Sequence, residues 1–244
     1  MVLALLGSGV LGVLLIARSQ PPEGAVELAE SVQRIRRTAN FRASGRLVKV
    51  DGQGQRNAYQ IAIQATATDA ATRMVYEVTG PEMARMRIST ESPRAGQPTV
   101  RTVKGADKTL QDVPFANWRD AVLDSDLTLE DLLDDQFRWS RQSLGPAVQY
   151  GARQCRVLKS EPGTADRSHY SLVTSWLDAT ILHPVKVEKV VRGSGVVKEF
   201  LYYGLRKFGG LWSASQIEVR TRGKSGSTFL IVTRGAAQKA GAAQ

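Results

Sequence analysis

Apolar and polar side chains alternate with a period of two along much of this 244-residue chain, and glycine-containing turns interrupt the alternation at short intervals, which predicts an antiparallel β-sheet. After Asn40, the residues Phe41, Ala43, Gly45 and Leu47 alternate with Arg42, Ser44 and Arg46. Asp51-Gly52-Gln53-Gly54 then turns the chain, and Tyr59, Ile61, Ile63 and Ala65 return against Gln60, Ala62 and Gln64, which reads as a hairpin. Met74, Tyr76 and Val78 precede a Gly80-Pro81 break, and Met86 and Ile88 alternate with Arg85, Arg87 and Ser89. Ser92 to Pro98 reads as a loop and Val100 to Val103 as a short strand. In the second half the strands predicted are 137–143, 148–160 with a turn inside, 169–177, 185–191, 196–207, 212–221 and 228–233. Turn signals at Arg192-Gly193-Ser194-Gly195, Phe208-Gly209-Gly210 and Gly223-Lys224-Ser225-Gly226 give the spacing of a meander. Few helices separate these strands, so parallel βαβ construction is not expected.

Two stretches change period. Ala25, Leu28, Ala29, Val32, Ile35 and Ala39 follow helical spacing, with Glu27, Glu30, Arg34, Arg36 and Arg37 opposite, and the apolar stripe is expected to cover the sheet that follows. From Asn117 to Leu133 the apolar residues Trp118, Val122, Leu123, Leu127, Leu129, Leu132 and Leu133 predict one or two short helices, with Thr128 and Asp131 in capping-box spacing. Glu130, Asp131, Asp134 and Asp135 form an acidic cluster there. It lacks the residue order of an EF-hand loop, and a solvated helix face is the expectation over calcium binding or paired-carboxylate catalysis.

Residues 1–17 carry no charge and are rich in Leu, Val and Gly, an export segment that serves either as a cleaved signal, with small residues before a cut after Ser19, or as a membrane anchor. No basic n-region precedes it, and no Cys follows it to carry a lipid. The chain is read as residues 1–19 for export or anchoring, 20–235 as one domain and 236–244 as a disordered tail.

The net charge of +10 favours anionic partners, an anionic membrane surface among them. The arginines are scattered, however, so no nucleic-acid partner is expected. Cys155 is the one cysteine, which excludes an internal disulfide and a thiolate metal cluster. It sits in a strand-like run and reads as a small buried hydrophobe. His169 and His183 are too isolated for a histidine metal site. No Gly-x-Ser-x-Gly elbow or phosphate-binding loop is present, so neither an enzyme nor a cofactor is expected. A hydrolase using Cys155 or the carboxylates near Asp131 is the weakest alternative, because no positioned base is apparent.

The runs Trp176-Leu177-Asp178, Leu182-His183-Pro184-Val185-Lys186-Val187-Glu188, Val196-Val197-Lys198, Gly209-Gly210-Leu211-Trp212 and Gln216-Ile217-Glu218-Val219 resemble the C-terminal strands of the LolA-like outer-membrane lipoprotein-sorting family. Ser125-Asp126-Leu127-Thr128-Leu129-Glu130-Asp131-Leu132 is similar to that family's acidic helical segment. Leu129 and Ser213-Ala214 stand where the family often has an aromatic and a Pro. The resemblance spans roughly residues 25 to 234. It implies a mainly β fold: a strongly curved antiparallel sheet, an incomplete barrel, lidded by the N-terminal and middle helices. It also implies a periplasmic carrier that shelters lipid or lipoprotein acyl chains, with an inner-membrane transporter as a further partner. Alternation and bulk nominate Tyr59, Ile61, Met74, Tyr76, Met86, Ile88, Trp118, Leu127, Trp176 and Tyr202 as the cavity residues. The alternative is a membrane-anchored sensory or scaffolding module of the same fold that binds a protein or peptide.

Overall fold

The computed structural model describes residues 24–38, 40–80, 85–105, 107, 109–208 and 211–237. The apolar run 1–17, Ala39, the Gly209-Gly210 pair and the tail beyond 237 lie outside the described residues.

A helix, α1 (Ala25–Arg37), opens the described chain. Gly24 caps it, with its backbone N–H donating to the Glu27 carboxylate, and Arg34, Arg36 and Arg37 lie in the last turn, so both ends complement the helix dipole. Six strands follow: β1 (Phe41–Val50), β2 (Arg56–Ala67), β3 (Ala71–Thr79), β4 (Met86–Pro93), β5 (Thr99–Lys104) and β6 (Gln111–Asp112). After a middle segment come β7 (Arg141–Leu144), β8 (Val148–Tyr150), β9 (Arg153–Glu161), β10 (Tyr170–Asp178), β11 (Pro184–Val191), β12 (Val197–Tyr203), β13 (Arg206–Phe208), β14 (Leu211–Ser213), β15 (Gln216–Thr221) and β16 (Ser227–Ala237).

All but β13 and β14 join one curved antiparallel sheet of 14 strands, in the order β6-β5-β4-β3-β2-β1-β16-β15-β12-β11-β10-β9-β7, with β8 beside β9. The sheet does not close, since β6 and β7 remain edges, and the result is an incomplete barrel. The first hairpin forms as its turn residues direct, with Asp51 Oδ1 accepting from the N–H groups of Gln53 and Gln55 at 2.9 Å each.

The two halves of the sheet join where β1 pairs with β16, from Phe41↔Ala237 to Val50↔Ser227. Gly235 and Ala236 therefore sit in a ladder against Ala43 and Arg42, and the tail read as disordered from 236 is paired through Ala237. The register shifts between Ser44 and Gly45, where a Cβ on Gly45 would lie 1.8 Å from the Ile231 carbonyl oxygen. Only glycine allows that backbone approach.

Concave-face residues from both halves, including Leu47, Ile61, Ile88, Val173, Val187, Phe200 and Val219, share one core with Trp118, Val122, Leu127 and Leu129 of the middle segment. Instead of the one or two helices read from periodicity, that segment forms four 3-10 turns: Phe115–Asn117, Val122–Asp124, Glu130–Leu132 and Asp135–Arg138. Left-handed backbone at Leu123, Asp124 and Asp134 breaks any longer helix, and burial of Trp118, whose Nε1–H donates to the Val113 carbonyl at 3.0 Å, sets the path. Phe137, read as the start of a strand, lies in the last of these turns.

Helix α1 also departs from expectation. Its stripe of Leu28, Ala29 and Val32 packs on Phe137, Leu158 and Leu177, from the distant half of the chain, rather than on the strands that follow it. Ile35, read as part of the stripe, is 44% exposed. The runs 196–207 and 212–221, each read as one strand, are split into β12 with β13 and β14 with β15. Gly204, at φ 60, makes the first break, and the short hairpin β13–β14 leaves the main sheet.

Gly45→Val should destabilise the protein by about 2–3 kcal/mol, read as a lower urea midpoint, because the side chain meets fixed backbone of β16. The same substitution at Gly54, which has open space around it but a φ of 82°, should cost about 1–2 kcal/mol from backbone strain alone.

Candidate functional site

Between α1, the middle segment and the concave face lies a cavity of about 640 Å³, within the roughly 300–1,000 Å³ of small-ligand sites. Phe41, Ala43, Ile63, Met74 and Tyr76 line it from the first half of the sheet, and Phe200, Tyr202, Ile217, Leu230 and Val232 from the second. Val32 and Ile35 of α1 and Leu127, Leu132 and Leu133 of the middle segment close two sides. The hairpin β13–β14 adds Phe208, Leu211 and Trp212. Alternation explains the sheet contribution, since odd positions of β1 and β2 and even positions of β3 face the same side.

Of the residues nominated by sequence, Met74, Tyr76, Leu127 and Tyr202 line this cavity. Tyr76 is fixed by its hydroxyl, which donates to the Leu132 carbonyl at 3.2 Å, and Tyr202 meets the His183 ring edge-on at 5.7 Å. Ile61, Met86, Ile88 and Trp118 are buried in the adjoining core and do not border the cavity. Tyr59 packs at the margin of that core, over Gly80. Trp176 is on the other face of β10, where the Lys186 ammonium sits 4.8 Å from its ring centre, because Val173, Ser175 and Leu177 take the inward positions. Sequence reading passed over Phe208, Leu211 and Trp212 as lining residues. Their signal was the Gly209-Gly210 turn, but only the break at Gly204 turns that hairpin out of the sheet and toward the cavity.

The middle segment is bolted to the sheet by carboxylates. Lys189 of β11 and Lys198 of β12 are register partners on the inward face, and like charges placed opposite one another repel. Asp131 lies between them, with Lys189 Nζ donating to its Oδ1 at 3.1 Å and Lys198 Nζ to its Oδ2. Tyr170 donates to Oδ1 at 2.7 Å, and the N–H and hydroxyl of Thr128 each donate to Oδ2 at 2.9 Å. Burial alone raises the Asp131 carboxyl, and the Lys198 and Lys189 ammonium groups outweigh it, holding the group far below the ordinary carboxylate range. Glu130 accepts from the Ser168 hydroxyl at 2.6 Å and from the backbone N–H of His169 at 3.1 Å, and its other oxygen is 2.9 Å from His169 Nδ1. Asp126 accepts from Thr221 and Thr228 at 2.9 and 3.1 Å. The acidic cluster is thus not the solvated helix face read from sequence: Glu130 and Asp131 are buried anchors.

At the α1 side, Asp134 pairs with Arg36 and Asp135 with Arg138 at 3.1 Å. Burial pushes the His183 imidazole down to about 4, so it is neutral at pH 7 with Nδ1–H donating to the Pro184 carbonyl at 2.8 Å. The Cys155 thiol is buried away from the cavity and pushed up by burial and by Asp178. Among the described residues no cluster of His, Cys, Asp or Glu has the makings of a metal site. A second depression of about 1050 Å³ is lined by Arg73, Arg87, Arg101, Glu77 and Glu91, a lattice of ion pairs unsuited to an apolar ligand. Such an arrangement can enclose hydrocarbon in the smaller cavity.

Asp131→Asn should lower the unfolding free energy by about 3–5 kcal/mol in urea titrations, since two buried ammonium groups lose their counter-ion, and adding Lys198→Met should recover part of it. Because His183 is held neutral in the fold, its contribution to stability is complete above about pH 6.5 and lost as the pH falls from there toward 4. Between those limits His183→Asn should remove about 2 kcal/mol of the wild-type pH dependence of unfolding.

The geometry agrees with solved structures. A putative outer membrane lipoprotein-sorting protein domain from Vibrio parahaemolyticus superposes with a TM-score of 0.79 at 17% identity, covering 88% of this chain and 93% of that one. A DUF1329 family protein from Desulfovibrio piger gives 0.78 at 14% identity over 91% and 95% of the two chains. A LolA superfamily protein from Nitrosomonas europaea gives 0.65 at 13% identity over 89% and 94%. At these identities the likeness is one of fold. No curated protein matches the sequence. A family model described as "Uncharacterized protein" matches residues 107–240, more than half of the chain. The chain belongs to that family, and its fold is that of the LolA-like proteins.

Proposed function

We propose that this protein is a periplasmic carrier or binding protein that shelters the hydrocarbon of a lipid or lipoprotein acyl chain in the cavity between the sheet and its lid. The observation that carries this reading is the cavity itself: about 640 Å³ bounded by Phe41, Met74, Tyr76, Phe200, Tyr202 and Leu230 on a half-barrel that its own core fills only in part. An acyl chain gains about 0.8 kcal/mol per buried methylene, which needs an extended apolar wall and no catalytic group. The likeness in fold to a lipoprotein-sorting domain supports the same reading. Delivery to the periplasm is the role assigned to the apolar residues 1–17, and the basic surface suits an anionic membrane. Among the described residues no helix is long and apolar enough to cross a membrane, and an inner-membrane transporter is the proposed donor or acceptor of cargo.

Lipid should co-purify with the protein from a bacterial host and be detectable by mass spectrometry after organic extraction. Binding of acyl chains of increasing length, measured by displacement of a neutral fluorescent probe, should tighten about fourfold per methylene until the cavity is full. Ala43→Trp, which puts an indole into the cavity, should weaken binding at least about tenfold while leaving the urea midpoint near that of the wild type. Length-independent binding, or an Ala43→Trp protein that binds normally, would sink this reading.

A further inference from the structure

We infer that the cavity's ligand carries a single anionic head, a carboxylate or a phosphate, and that Lys189 receives it. This rests on the acyl-chain reading above and adds the charge of what is bound. The charged side chains at the cavity are not all paired one to one. Arg36 is paired with Asp134, and Arg138 with Asp135. Arg37, at the rim, is exposed and bonded to Gln33. What remains at the cavity is Lys189, whose counter-ion Asp131 is shared with Lys198 outside the lining; the neighbouring buried carboxylate, Glu130, is spent on Ser168 and His169, so two ammonium groups divide one carboxylate.

Burial makes that sharing consequential. Lys189 is 3% and Lys198 5% exposed, so water does little for either ammonium. An ammonium has three N–H donors, and among the described residues each lysine spends one, both on Asp131. Asp131 already accepts from Tyr170 and Thr128 as well and cannot take up the remaining ammonium donors. Lys189 borders the cavity, 4.7 Å from the centre of the Phe200 ring, which also lines it. Two residues along β10 from Lys189's partner Val173, and on the same face, the Ser175 hydroxyl is fully buried and has no hydrogen-bond partner among the described residues, a further donor left over in this part of the sheet. An anionic head reaching Lys189 would give it a counter-ion of its own and accept the donors that Asp131 leaves unspent, while its hydrocarbon lies along the apolar walls.

The test is displacement of a neutral apolar fluorescent probe from the full-length protein, near pH 8 so that fatty acids are ionised. Palmitate and hexadecyl phosphate should displace it at concentrations at least about tenfold lower than methyl palmitate, and acetate should not displace it at all. Lys189→Met should bring palmitate and its methyl ester to within about threefold of each other while ester binding persists. Where Lys189→Met does not fold, Lys198→Met serves instead: it leaves Asp131 and Lys189 as a neutral pair and should remove the same preference. Equal affinity of wild type for acid and ester would overturn the inference and leave the acyl-chain reading standing. Failure of every long-chain compound to displace the probe would overturn both, and displacement by acetate would show an anion site that needs no chain.

Discussion

A single carboxylate between two lysines sets how this half-barrel is filled. Lys189 and Lys198 face one another across adjacent strands, an arrangement that opposes pairing of β11 with β12 unless a negative group intervenes. Asp131 supplies it from a segment distant in sequence, and in doing so fixes where the middle segment lies across the hollow. Glu130 and Asp126 extend the attachment to Ser168, His169, Thr221 and Thr228. The segment is consequently an anchored part of the core rather than a loosely packed flap, and its short 3-10 turns are the shape left to a chain whose polar groups are tied at several points.

Anchoring divides the concave face into two regions. On one side Trp118, Val122, Leu127 and Leu129 complete a dry core with both halves of the sheet. On the other, α1 and the hairpin β13–β14 stand over Phe41, Met74, Tyr202 and Leu230 without filling the space between. Curvature creates the hollow, the β1–β16 pairing joins its walls, and Asp131 determines how much of it the protein itself occupies. The walls are apolar, and of the ion pairs at the border only that of Lys189 shares its carboxylate with a second cation, Lys198.

Different physical signals made different parts of this fold legible. Period-two alternation identified the strands up to Ile88 and the meander of the second half, because each inward side chain there faces a buried surface and each outward one faces water. The stripe of α1 was equally readable, but not its partner, since periodicity reports that a face is buried and is silent about what buries it. The acidic cluster was misread for the same reason: a carboxylate looks solvated in sequence unless the lysines that meet it are known, and Lys189 and Lys198 are about 60 residues away. Trp176 was nominated on bulk, yet the strand's parity gives its inward positions to Val173, Ser175 and Leu177.

By itself the sequence determined a long antiparallel sheet with one wet face and one apolar face, a helix before it and the place of an insertion within it, because these follow from local periodicity and turn chemistry. Tertiary structure decided which strands became neighbours at β1–β16, which residues border the cavity, and that Asp131 is buried between two lysines. Those outcomes depend on contacts between residues far apart along the chain, whose free energy appears only when the sheet bends and brings them together.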